Sequence, residues 1–198
     1  AGNYIAESVT EDGLVPKIGD ANPDFIMNYI STMSWRGLSL NVAVNHVSGG
    51  DIYSTYIATL LGRGLTTDTE DRLGTYILDG VGPDGNPNQV QINNSQFYFD
   101  NGFASAADEL NVYDASVLRL QEVTLGYSLP SKFLDRTPFG SVTFKVSGFN
   151  LWYDAYNTPD GINFDPNTTG LGAGNGQGFE FLTGPSSKRY GFTVNATF

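Results

Sequence analysis

The sequence predicts an all-β fold, a segment of transmembrane antiparallel β-barrel with long loops at one end. Three observations predict it. Five stretches alternate apolar and polar residues with a period of two, the mark of strands with one greasy face. The connections between them alternate short and long, as membrane barrels require. And although 40% of the residues are hydrophobic, no run approaches the roughly 18 apolar residues of a spanning helix. Composition agrees without deciding. Gly (24), Phe (13) and Tyr (11) are abundant, which suits strands joined by loops. A net charge of -11 disfavours a phosphate-backbone partner, because nucleic-acid binders need a basic stripe. The absence of Cys excludes disulfides.

Residues 1–23 carry the turn dipeptides Asp12-Gly13, Gly19-Asp20 and Asn22-Pro23 and read as a loop. The first strand spans about 24–35, with Phe25, Met27, Tyr29, Met33 and Trp35 on one face. Its alternation is imperfect: Ile26 and Ile30 fall on the polar side and Ser31 on the apolar side. Arg36-Gly37 is hairpin chemistry. The return strand, 38–47, sets Leu38, Leu40, Val42 and Val44 against Ser39, Asn41, Ala43 and Asn45. Ser48-Gly49-Gly50 breaks it, and Asp51 can cap a short helix, Ile52 to Leu61. The rest of 48–115 reads as a mostly irregular loop. In the third strand, 116–129, Val123, Leu125, Tyr127 and Leu129 share one face, while Leu118 and Leu120 lie in the opposite phase. A bulge near Gln121 would reconcile the two halves. Residues 130–140 turn the chain. The fourth strand, 141–152, opposes Val142, Phe144 and Val146 to Ser141, Thr143, Lys145 and Ser147. A second long loop, 153–187, contains the Gly-rich run 170–178. The last strand, 188–198, places Tyr190, Phe192, Val194, Ala196 and Phe198 on one face. With Phe198 at the periplasmic side, the short connections are periplasmic turns, and 1–23, 48–115 and 153–187 are extracellular loops.

Several of these segments resemble the C-terminal part of SusC/RagA-type TonB-linked outer-membrane transporters of Bacteroidota. They are Ile18-Gly-Asp-Ala-Asn-Pro-Asp-Phe25, Gly49-Gly-Asp-Ile-Tyr53, Ser147-Gly-Phe-Asn-Leu151 and Asp165-Pro166. The strongest is Asp114-Ala-Ser-Val-Leu-Arg-Leu-Gln-Glu-Val-Thr-Leu-Gly-Tyr-Ser-Leu-Pro130. Asn167 stands where that family usually has Glu after Asp-Pro. The resemblance implies the last five strands of a 22-stranded barrel in the outer membrane of a Gram-negative, Bacteroidota-like cell. It implies a non-enzymatic importer of oligosaccharides or oligopeptides, lidded by a SusD-like surface lipoprotein and energised by TonB through an N-terminal plug. Plug and TonB box are not legible in these residues, which read as the C-terminal portion of the barrel. A structural or assembly subunit using the same barrel, without import, is the second reading. A soluble glycan-binding β-sandwich is the third; its greasy strand faces would need a second sheet to cover them.

Candidate sites are few. Trp152, Tyr153 and Tyr156 suit an interfacial aromatic girdle, or stacking on sugar rings; Phe97 and Tyr98 are weaker stacking candidates. Tyr190, Phe192 and Phe198 are expected to form the signal read by the barrel-insertion machinery. The polar faces (Asn41, Asn45, Glu122, Thr124 and Lys145) would line the lumen or touch a plug. His46 is the only His and has a structural or interfacial role. Asp84, Asn86 and Asn88 have calcium-like spacing but no Glu to close such a loop, so an ordinary turn is expected. No metal, cofactor or catalytic site is read.

Overall fold

The computed structural model describes residues 13–14, 16–93, 96–98, 108–159, 161–162, 164–168 and 174–198. The first twelve residues of the first loop and part of the Gly-rich run, 170–173, lie outside the described residues. Among the described residues, ten strands and the helix α1 follow in chain order. They are β1 (Phe25–Trp35), β2 (Leu38–Ser48), β3 (Asp51–Ser54), α1 (Thr55–Gly62), β4 (Thr75–Ile77), β5 (Gln91–Asn93), β6 (Val112–Asp114), β7 (Val117–Ser128), β8 (Ser141–Asp154), β9 (Phe179–Glu180) and β10 (Arg189–Thr197). Five long strands form one antiparallel sheet in the order β1-β2-β7-β8-β10. Among the described residues no helix is long and apolar enough to cross a membrane.

The register explains the alternation. Rows of paired residues run across the sheet: Trp35, Leu38, Tyr127, Phe144 and Val194 form one, and Met33, Leu40, Leu125, Val146 and Phe192 another. These rows make a continuous apolar face whose large side chains stay uncovered; Leu125 is 53% exposed and Phe192 68%. An apolar surface of that extent is a lipid-facing or buried surface, not a hydrated one. The opposite rows are polar: Thr32, Asn41, Thr124, Ser147 and Gly191, then Ser34, Ser39, Gly126, Lys145 and Thr193. Their side chains bond across strands, with Thr32 Oγ1 donating to Asn41 Oδ1 at 2.5 Å and Thr124 Oγ1 to Ser147 Oγ at 2.8 Å. The sheet is therefore a barrel wall, apolar outside and polar inside.

The bulge falls at Gln121. Ala43 pairs with Glu122 and Val44 with Leu120, leaving Gln121 without a partner on β2. One extra residue flips the phase, so Leu118 and Leu120 join the same apolar face as Val123 and Leu125. At the opposite end of the wall, Arg36 (φ 47) and Gly37 (φ 87) both adopt positive φ. A two-residue hairpin of this hand requires that conformation because it matches the strand twist. A Cβ on Gly37 would also lie 2.8 Å from the Ser128 carbonyl oxygen.

The segment 48–115 departs from the expected loop with one helix. Asp51 to Ser54 is a strand, pairing antiparallel with β6 and parallel with β9 in a second, three-stranded sheet. The helix begins at Thr55, and Ser54, not Asp51, caps it by accepting from the Ile57 N–H at 3.2 Å. Asp51 instead accepts from the Asp20 N–H at 2.8 Å. The partners that turn 51–54 into a strand lie about 60 and 125 residues away, beyond any local pattern. This loop module holds the buried core of the described chain: Ile52, Ile57, Leu61 and Phe164, with Tyr56, Tyr98 and Tyr113 packed against it.

Candidate functional site

All the long connections leave the same end of the wall, and they do not stand free. Asp20 and Asp51 exchange bonds, the Asp51 N–H donating to the Asp20 carbonyl at 2.7 Å. The Gly49 N–H donates to Ser116 Oγ at 2.8 Å, and the Ser116 N–H to Asp114 Oδ1 at 2.7 Å. Asn157 Nδ2 donates to the other Asp114 oxygen at 2.9 Å. The segments around Gly19, Gly49 and Asp114 thus meet at one corner, where the wall strands pass into the loop module.

Two buried carboxylates tie the second long loop down. Asp165 forms a two-pronged ion pair with Arg119 of β7, Nη1 to Oδ2 at 2.9 Å and Nη2 to Oδ1. Both side chains are almost wholly buried. Burial opposes the Asp165 charge, but hydrogen bonds from Arg119 and Ser186, the Arg119 charge and the Asn167 N–H hold its carboxyl below the ordinary value. Arg119 lies on the polar face, in the row Asn28, Asn45, Arg119, Tyr153, so the loop folds over the inside of the wall. Glu180, fully buried, accepts from Ser54 Oγ and the Tyr56 N–H at 2.9 Å with one oxygen. The other takes the Thr183 N–H at 2.5 Å and Thr183 Oγ1 at 2.9 Å. It sits at the N-terminus of α1, where an anion is favoured, and clasps the two long loops together.

Between wall and loop lies a cavity of about 350 Å³, lined by Asn28, Asn45, Arg119, Gln121, Asn150, Asp165, Asn167, Thr168 and Ser186. Every lining residue is polar. It opens where the β7–β8 ladder is interrupted, with Gln121 bulged on one strand and Asn150 at φ 52 on the other.

The expected site residues separate in space. Trp152 pairs with Leu120 on the apolar face and Tyr153 with Arg119 on the polar face, so the aromatic cluster read at 152–156 is divided between two sides. The Arg119 guanidinium lies 5.5 Å from the Tyr153 ring centre. Tyr156 sits at the rim, its hydroxyl 3.0 Å from His46 Nε2, and Phe25 meets the His46 ring edge-on at 5.4 Å. Tyr98 supports the loop core and touches Phe97, ring centres 5.0 Å apart. Tyr190, Phe192 and Phe198 are exposed; the first two belong to the apolar face, and Phe198 rests 5.1 Å from Phe139. At the calcium-like spacing, Asn86 caps both Asp84 oxygens, at 3.1 and 2.8 Å, and Asn88 Nδ2 donates to the Leu78 carbonyl. Among the described residues no cluster of acidic residues or His could hold a metal.

A wall with an apolar exterior, a polar interior and structured loops over one end has the architecture of an outer-membrane β-barrel. No family model matches the chain. It is 28% identical over 134 residues to the TonB-dependent receptor P3 of Formosa agariphila, a match covering 68% of the chain and 12% of that receptor. Among solved structures it is similar to the RagAB peptide importer in its closed-closed state, with a TM-score of 0.59, 19% identity, and 98% of this chain against 21% of that one covered. The open-open state gives a TM-score of 0.56 at 19% identity, covering 96% of this chain and 19% of that one. The resemblance to SusC/RagA-type TonB-dependent transporters is borne out, and the β-sandwich reading falls. The chain spans about an eighth of the curated receptor's length.

Proposed function

We propose that these residues form barrel wall and extracellular loops of a SusC-type, TonB-dependent importer in the outer membrane. Oligosaccharides or oligopeptides pass inside, under a SusD-like lipoprotein lid, and the energy comes from TonB through a plug. The observation that carries this reading is the five-stranded wall, apolar outside and polar inside, with its long loops clasped over one end. The likeness to a TonB-dependent receptor and to RagAB supports it. The test is uptake of labelled oligosaccharides and oligopeptides by cells with and without the gene, together with the proteins that copurify from outer membranes. Loss of uptake on deletion and on collapse of the proton gradient, with a copurifying surface lipoprotein, is the expected result. Unchanged uptake with loss of a larger outer-membrane assembly would replace this reading with the structural-subunit one.

Tyr190, Phe192 and Phe198 serve assembly in this reading, as the aromatic signal for barrel insertion. Deleting Phe198 is expected to lower the amount of protein inserted, measured by heat-modifiable migration of the outer-membrane fraction. An unchanged inserted amount would remove that role.

A further inference from the structure

We propose that the cavity between β7, β8 and the Asp165 loop is a ligand subsite on the inner wall, built for an uncharged, hydroxyl-rich group the size of one sugar ring. The inference rests on the import reading and adds to it a place and a chemistry. The cavity is large enough for one such ring and its water, at about 350 Å³. Its two charges cancel: Arg119 and Asp165 satisfy each other with two parallel bonds. A charged ligand would find no free counter-ion among the described lining residues, and its desolvation would go uncompensated by them.

What the cavity does offer is amides. The side chains of Gln121 and Asn167 are exposed to the space they line and make no hydrogen bond to another described residue. An amide donates and accepts, and so does a hydroxyl, so the two match at every ring position. A peptide backbone would also match, but a peptide brings apolar side chains, and no apolar residue is among the described residues that line this cavity. The backbone is irregular at the same point. The bulge at Gln121 and the left-handed Asn150 interrupt the β7–β8 ladder there. Bulges re-aim side chains beside binding sites, and a positive φ at a non-Gly residue is kept at a cost. Arg119 Nε is buried with no partner among the described residues, a further departure from what stability alone would select.

The test uses the full-length protein in detergent. Neutral oligosaccharides, uronate or sulfate-bearing oligosaccharides, and neutral peptides of equal length are titrated against wild type, Gln121→Ala, Asn167→Ala and the distant control Asn86→Ala. Ser186→Ala is a milder cavity variant should the bulge position fail to fold. The expected result is binding of a neutral oligosaccharide, weakened about 10-fold by each cavity variant and unchanged by Asn86→Ala. Binding of peptides or charged glycans only, or neutral-glycan binding that ignores the cavity variants, overturns the subsite while leaving import intact. If no ligand of any class binds or is taken up, the import reading falls and the subsite with it.

Discussion

At the scale of single residues, the described structure turns on Arg119 and Asp165. Removing one partner of a buried ion pair leaves an uncompensated charge and costs about 3–5 kcal/mol. Asp165→Ala is therefore expected to release the 153–187 loop from the wall, read as faster proteolysis of that loop with the barrel still inserted. Unchanged cleavage would mean that Glu180 alone holds it. The pH dependence has a definite sign. The Asp165 carboxyl titrates below its ordinary value in the folded chain. Its contribution is then complete above the unfolded carboxylate value of about 4 and is lost only as pH falls through the lower folded value. Loop protection should be flat from neutral pH to about 5 and decline below about 4. Neither anchor was read from the sequence, because Arg119 and Asp165 are 46 residues apart and Ser54 and Glu180 126. A faint signal existed: Glu180 is the only acidic residue after Asp165, and two Phe flank it.

At the scale of elements, the wall strands were legible because each has one face in a different solvent from the other. That contrast writes a period of two into the sequence. Even the bulge showed, as a phase slip between Leu120 and Val123. The short strands β3, β6 and β9 left no such trace. They are four, three and two residues long, and they owe their form to partners distant in the chain. The face assignment has a direct test. Leu125 pairs with Leu40 and Val146 on the apolar face, while Thr124 faces inward beside Asn41 and Ser147. Leu125→Arg is expected to cost about 2–4 kcal/mol if the site is near the bilayer midplane, and Thr124→Arg far less. Denaturant unfolding of the full-length protein in lipid vesicles measures both. Equal costs would mean that the two faces are wrongly assigned.

At the scale of the whole molecule, the direction of the wall across the membrane follows from where structure has been invested. Every long connection, with the buried core of the loop module and both carboxylate anchors, sits at one end of the sheet. The other end carries the Arg36-Gly37 hairpin and the turn after β7. Outer-membrane barrels place short turns at the periplasm and long loops outside, and an importer needs its selective surfaces where the ligand arrives. We therefore expect the loop module to be extracellular. A short epitope inserted between Asp84 and Asn86, in an exposed loop turn, should bind antibody on intact cells. The same epitope between Asp135 and Arg136, in the turn after β7, should bind only after the outer membrane is permeabilised. The reverse pattern would invert the wall, placing the amide-lined cavity and both loop anchors on the periplasmic side. A ligand could then reach that cavity only after crossing the barrel, and the cavity would belong to release of the cargo instead of its capture.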